Sequence, residues 1–257
     1  MIEREFPILE FDADKNAIIR PKDCIRQCEA PVPERAVLCF FGEALKKLVT
    51  EREHSVIFHF SSESMRLPLY ALEYEGERIA LMQAAVGAPL AAGQIEELTQ
   101  LGCRKFIACG GCGVLQKEIA VGHLILPVSA VRDEGTSYHY AAPSREIQAN
   151  ARVLSVLERT LMEGDIPYIK AKTWTTDAFY RETPEKLRLR KREGCVCVEM
   201  EASAYMAAAQ YNGVEFGQIL YAGDNLGGEE WDSRDFNRRT EIREMVLRLA
   251  LNACLKL

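Results

Sequence analysis

The chain has no basic stripe, no long apolar run and no completed set of paired metal ligands, and each absence removes a class of function. Its 32 basic and 38 acidic residues are interleaved for a net charge of −6, so no groove is expected to neutralise a phosphate backbone, and nucleic acid is not an expected partner. No apolar stretch reaches the roughly 18 residues of a membrane span, so no membrane partner is expected. The start, Met1-Ile-Glu-Arg-Glu-Phe6, lacks the basic-then-apolar order of a signal peptide, and a cytoplasmic location is expected. Histidine is scarce: His54, His59, His123 and His139 lie in unlike contexts and read as structural. Cys109-Gly-Gly-Cys112 has the spacing of half a zinc or redox site, and Cys24 with Cys28 offers another pair. No second Cys-x-x-Cys or paired histidine completes a ligand set, so neither a metal nor a cofactor is expected. Nine cysteines, an odd number, suit a reducing compartment in which they pack as small apolar residues. No linker divides the chain, and its 48% apolar content is enough to fill a substantial core.

What is present reads as strands alternating with helices. Residues 1–35 carry Pro7, Pro21, Pro31 and Pro33 with little periodicity, an irregular arm lying on the domain or on a neighbouring subunit. Residues 36–257 read as one domain. Ala36–Phe41 is an apolar strand meeting Gly42 and a short helix over 43–51; strands at 54–60, 67–74 and 78–84 form an antiparallel section. A helix runs to Gly102, and a buried strand over 104–109 enters Gly110-Gly-Cys-Gly113, where the glycines imply close backbone approach to a ligand or positive φ. Further strands are expected at 123–131, 168–174 and 216–221, the last ending in Gly223-Asp224-Asn225, and helices at 143–163, 184–192 and 236–255. The charges of the 184–192 helix read as a solvated face. This alternation implies an open α/β sheet with a ligand cleft at the strand carboxyl ends.

One stretch stands out. Cys195–Tyr205 passes from the β-branched run 196–198 into Ala202 and Ala204, with Glu199 and Glu201 on either side of Met200. Residues two apart in an extended segment share a face, so both carboxylates can enter one cleft. Solvated glutamates opening a helix account for the pattern equally well.

Val198-Glu-Met-Glu-Ala-Ser-Ala204, Cys109-Gly-Gly-Cys-Gly-Val-Leu-Gln116, Val131-Arg-Asp-Glu-Gly-Thr-Ser137 and Thr176-Asp-Ala-Phe-Tyr180 together resemble the nucleoside phosphorylase superfamily, most of all its uridine phosphorylase-like members, in order from about residue 36 onward. The resemblance implies a three-layer α/β/α fold with a central mixed sheet and an enzyme, a pentosyltransferase, that cleaves a nucleoside to free base and ribose 1-phosphate. Inorganic phosphate is then the co-substrate, and the chain a homo-oligomer, dimer or hexamer. Glu201 matches the catalytic glutamate that accepts from the ribose hydroxyls, Met200 the methionine against the sugar, Glu199 a supporting residue and Gly87 a glycine of the active-site loop. Gly113 and Phe179 match base-binding positions, although Phe179 also reads as a plain core phenylalanine. Asp224 resembles the aspartate used near N7 of a purine as general acid; its other reading is an Asp-Asn turn. The loop at 131–137 looks like the uridine-cleaving branch, yet that branch's uracil-reading glutamine and arginine fall near Thr183 and Glu185, which favours a purine.

The phosphate side departs from the family pattern. Gly42, Gly111 and Cys112, with backbone amides of 110–113 forming an anion nest, and Arg66 reaching from an adjacent subunit, are what the resemblance assigns to phosphate. A glycine-aspartate-proline loop with its arginine is replaced by Phe41-Gly-Glu-Ala-Leu45, a second arginine by Ala108, and a hydroxyl by Gly111. Hydrolysis is the competing reaction; its water-activating glutamate falls near Lys47, with Glu43 one turn earlier as a candidate. A non-catalytic nucleoside-binding protein is the third reading.

Overall fold

A computed structural model describes residues 2–25, 28 and 30–257; residues 1, 26, 27 and 29 of the expected arm lie outside the described residues. The elements in chain order are α1 (Pro21–Cys24), β1 (Arg35–Cys39), α2 (Gly42–Glu51), β2 (His54–Ser61), β3 (Arg66–Tyr74), β4 (Glu77–Gln83), α3 (Ala88–Leu101), β5 (Lys105–Val114) and β6 (Leu124–Asp133). They continue with α4 (Ser137–Tyr140), β7 (Glu146–Gln148), α5 (Ala151–Glu163), β8 (Tyr168–Thr176), α6 (Pro184–Arg192), β9 (Cys195–Glu199), α7 (Ala202–Asn212), β10 (Glu215–Asn225) and α8 (Thr240–Leu255).

One mixed sheet orders its strands β10-β6-β8-β9-β5-β1-β4-β3-β2. Its β2–β3–β4 end is antiparallel, as the strand patterns predict. The other end differs from the open sheet expected. Strand β10 pairs parallel with β5 as well as antiparallel with β6, so β5, β10, β6, β8 and β9 close into a ring. Helices α2, α5 and α8 bury Leu48, Leu157 and Leu251 against one face of the sheet, and α3 and α7 bury Ile95 and Tyr205 against the other, giving three layers. Alanines at 202, 204, 207, 208 and 209 make α7 thin enough to lie buried from Ala202 to Ala209.

Two readings of helices change. The helix expected at 143–163 begins at Ala151, because Asn150 caps it by accepting from the Val153 amide at 3.1 Å, and residues 146–148 instead add β7 to the edge of β6. The charged helix α6 is not merely solvated. Arg190 is buried, pairs with Asp133 at 3.0 Å and Glu193 at 2.8 Å, and lies over the Trp174 ring, pinning α6 to β6 and β8. Along the arm, Lys15 Nζ donates to the Tyr211 carbonyl at 2.7 Å, while Ile18 and Ile19 are exposed. No helix among the described residues is long and apolar enough to cross a membrane.

Candidate active site

The strand ends converge on a cleft of about 850 Å³, lined among others by Phe40 and Phe41 after β1, Val86 after β4, Gly111–Gly113 on β5, Val198–Glu201 at the end of β9, and Leu220, Tyr221 and Asp224 on β10. The Glu-Met-Glu stretch is its floor. Glu199, last residue of β9, is buried and accepts four hydrogen bonds: from Thr175 Oγ1 at 2.6 Å, Thr173 Oγ1 at 3.2 Å, and the amides of Glu201 and Ala202 at 2.8 and 2.6 Å. Its carboxylate therefore closes the N-terminus of α7. Burial pushes its pKa up, and those donors pull it back. Glu201, equally buried, accepts one bond from another element, the Gly87 amide at 2.7 Å. Burial first, and then the Glu199 charge, push Glu201 up to about 8. With four donors against one, Glu199 is the better supported carboxylate of the pair, although burial still leaves its pKa raised, and Glu201 is the one that holds its proton near neutrality. Solvated helix-opening glutamates are thus excluded.

Gly87 has φ +99° and ψ 141°, backbone that a side chain resists, and this turn aims its N–H at Glu201. Behind it the buried Gln94 ties down the loop, accepting from the Ala85 amide at 2.9 Å and donating to the Gln83 carbonyl at 2.9 Å. Met200 lines the cleft between the two glutamates.

At the other end stands Asp224. Trp231 Nε1 donates to its Oδ2 at 2.7 Å, and the 225–232 loop is closed by a bridge between Asn225 and Asp232. Gly113 gives close packing there: a Cβ would lie 2.5 Å from Leu226 Cδ1, which would have to shift, and 3.3 Å from Asp224 Oδ1. Phe179 is half exposed, packs at a tilt against Tyr180 with ring centres 4.1 Å apart and lines the cleft, so it is not a core phenylalanine. Glu182 joins this end; burial and the nearby Asp224 charge raise its pKa to about 7.

The phosphate positions fare less well. Residues 110–113 lie within β5, paired to β10 and β9, and none of its glycines has positive φ, so their amides form a ladder and not an anion nest. The glycines serve close packing, since a Cβ at Gly110 would lie 2.9 Å from the Phe40 ring and one at Gly111 3.1 Å from Tyr221. Gly111 and Cys112 do line the cleft, but Gly42 opens α2 outside it, leaving Phe40 and Phe41 as the wall. Cys112 is buried, its thiol donates to the Tyr221 carbonyl at 3.4 Å, and its pKa is pushed well up by its bond to Cys197 and by burial. Arg66 sits at the start of β3, opposite Ser61, and this chain does not bring it to the cleft. Glu43 is exposed and outside the cleft, and Lys47 pairs with Glu244 at 2.8 Å on the outer surface. The 131–137 loop also stays outside the cleft. Its Glu134 is buried and accepts from the Thr136 and Ser137 amides at 2.6 and 2.9 Å and from Ser203 Oγ at 2.9 Å, which props α7 from behind. Among the described residues no group of three or more His, Cys, Asp or Glu is placed to hold a metal.

Four cleft residues escape sequence reasoning: Glu182, Gln218, Trp231 and Arg243. Gln218 is buried, and neither of its amide atoms has a hydrogen-bond partner among the described residues. An unpaired glutamine within an apolar strand was the only local signal; the others sit in charged stretches that read as surface.

A family model described as the phosphorylase superfamily matches residues 34–256. A guanosine phosphorylase of Halorubrum lacusprofundi is 28% identical over 186 residues, 70% of this chain and 77% of the relative. A DeoD-type purine nucleoside phosphorylase of Aliivibrio fischeri is 31% identical over 187 residues, 72% of this chain and 77% of the relative. Among solved structures, a uridine phosphorylase from Vibrio fischeri superposes with a TM-score of 0.74 at 22% identity, covering 90% of this chain and 95% of that one. A purine nucleoside phosphorylase from Toxoplasma gondii in complex with immucillin-H gives 0.72 at 18%, covering 88% and 94%.

Proposed function

The chain belongs to the phosphorylase superfamily, and we propose that it is a pentosyltransferase cleaving the N-glycosidic bond of a purine nucleoside with inorganic phosphate, to free base and ribose 1-phosphate. The observation that carries this reading is the buried Glu201 carboxyl, oriented by the Gly87 amide and facing Asp224 across one cleft. Cleavage passes through an oxocarbenium-like sugar. A carboxylate accepting from two ribose hydroxyls orients the ring and offsets its developing charge. In the empty site Glu201 holds a proton, and hydroxyl donors favour its ionised form, so nucleoside binding expels that proton. A phosphate oxygen bonds to C1′ as the bond from C1′ to nitrogen breaks; the electron pair stays on the base, which takes up a proton. Asp224 and Glu182 together supply it, and Glu182 retains a proton near neutrality.

A purine is favoured by Asp224 and by the names of the relatives at 28% and 31% identity. Hydrolysis is the weaker reading, because Glu43 and Lys47 both lie outside the cleft. We assign Arg66 to a neighbouring subunit's cleft in a homo-oligomer of the cytoplasm, since it lies on the β2–β3 hairpin away from its own.

Incubation with purine and pyrimidine nucleosides, with and without phosphate, tests the reading. Base and ribose 1-phosphate should appear only with phosphate and fastest from purines. Equal release without phosphate would establish hydrolysis, and binding with no release would establish a sensor.

A further inference from the structure

The cleft is walled by acidic, neutral polar and apolar groups with one exception. Glu182, Glu199, Glu201 and Asp224 line it, and among the described residues Arg243 is its only basic side chain. Arg243 lies in the first turn of α8, half-buried, with its guanidinium 5.3 Å from the centre of the Phe41 ring. Its Nε donates to Tyr221 Oη at 3.2 Å, and its Nη2 to the Phe236 carbonyl at 3.0 Å and to Asn237 Oδ1 at 3.4 Å. All three acceptors are neutral. Among the described residues no carboxylate forms an ion pair with it, whereas the buried Arg190 of α6 has two. Neither hydrogen of Nη1 has a protein acceptor among the described residues.

A half-buried guanidinium without a counter-charge is costly to keep, and here neutral acceptors fix its orientation without cancelling its charge. That combination suits an anion which arrives and leaves. The planar fork offers donors in the geometry that phosphate oxygens accept. Its position fits the reaction too. Tyr221, whose hydroxyl Arg243 holds, packs against Gly111, and Gly111 lines the cleft beside Phe41. Arg243 enters from the α8 layer and Glu201 from the α7 end, so anion and sugar are held from opposite walls. We infer that Arg243 is the residue that binds the nucleophilic phosphate, a guanidinium supplied by the last helix to a site whose β1–α2 turn offers only aromatic faces. This rests on the phosphorolytic reading: Arg243 holds the phosphate oxygens not attacking C1′, and no other reactant is required.

The test uses the full chain as wild type, Arg243→Gln and Arg243→Lys, with inorganic phosphate as the probe in calorimetry and in the steady-state rate. Wild type should bind phosphate. Arg243→Gln should weaken binding and raise the KM for phosphate at least tenfold while the KM for nucleoside moves less than twofold; Arg243→Lys, with charge but no fork, should fall between. Thermal unfolding confirms that the variants fold, and if the glutamine variant does not, at least a threefold rise in phosphate KM for the lysine variant carries the test. Phosphate binding unchanged in Arg243→Gln, or absent from wild type, overturns the inference. Phosphate-dependent base release with an unaltered phosphate KM sinks this assignment alone, whereas base release independent of phosphate, with phosphate still bound through Arg243, sinks the phosphorolytic reading alone.

Discussion

Two walls of one cleft are built on opposite principles. On the β9–α7 floor the polar groups are buried and wired: Glu199 takes four donors, and Glu201 is set by a glycine whose φ of +99° exists to direct one amide. On the β1–α2 wall, aromatic faces meet the cleft, and Arg243 of α8, the one basic side chain lining the cleft among the described residues, is held by three neutral oxygens. Buried hydrogen bonds lose about 1–3 kcal/mol when a partner is removed, so the floor tolerates little change in residue type. A guanidinium on a long stem can reach a site from any neighbouring element, so the wall can be rebuilt from elsewhere in the chain.

The largest expected effect separates the two glutamates of the floor. Glu201→Gln should cut kcat by roughly 10²–10³ because a charge acting on the transition state is lost, with little change in the unfolding midpoint. Glu199→Gln should do the reverse in emphasis. An amide cannot accept all four bonds, and stability should fall by about 1–3 kcal/mol, read as a lower midpoint. If Glu201→Gln unfolds the protein while Glu199→Gln leaves it stable, the division between sugar ligand and support is wrong.

The second prediction concerns the base end. Asp224→Asn should slow purine nucleosides by about 10²-fold, the usual size of a general-acid contribution, and pyrimidine nucleosides less than threefold. Equal losses for both, measured as kcat/KM, would remove the purine assignment and leave Asp224 as the partner of Trp231 alone.

The same contrast governs what was legible in the sequence. The floor is contiguous: strand, acid pair and alanine helix occur within eleven residues, and burial forces their types. The strand and helix spacing likewise exposes the α/β alternation. The ring closure is not local, since it depends on β10 running between β5 and β6, a pairing of residues about a hundred apart that no period of two or 3.6 encodes. Gly110–Gly113 misled for a physical reason. Glycine is demanded equally by a phosphate-cradling loop and by a strand crowded by Phe40, Tyr221 and Leu226, and here crowding accounts for it. Arg243 stayed hidden because a basic residue in the first turn of a charged helix looks like any solvated one. Only the fold shows that Phe41 and Tyr221 lie beneath it.

Gly87→Ala probes the wiring of the floor without touching its acids. No atom lies within 4 Å of the new methyl group, so any effect is backbone strain at φ +99°, of order 1–3 kcal/mol. If relief of that strain turns the amide away from Glu201, kcat/KM should fall by tens of fold and the KM for nucleoside should rise, while the KM for phosphate stays constant. A variant that is merely less stable, with unchanged kinetics at low temperature, would mean that the Gly87 amide does not set the sugar ligand.

The smallest effect is a pH dependence confined to the floor. Glu201 is raised from the ordinary carboxyl range to about 8, so in the empty protein the folded state holds its proton where the unfolded chain has released it. Its contribution to stability is present in full below about pH 4.5 and is lost as pH rises through about 8. Nucleoside binding runs the other way. Ribose hydroxyls donate to the ionised carboxylate, so affinity should rise about tenfold for each pH unit up to about 8 and level off above it, with proton release visible in buffers of different ionisation heat. Phosphate affinity, which rests on a guanidinium and not on Glu201, should not share the slope once the ionisation of phosphate itself is allowed for. Glu201→Gln should flatten the nucleoside curve. A slope that persists in that variant would locate the titrating group at the Asp224 and Glu182 end, and the two walls would then have to be compared through the base and not through the sugar.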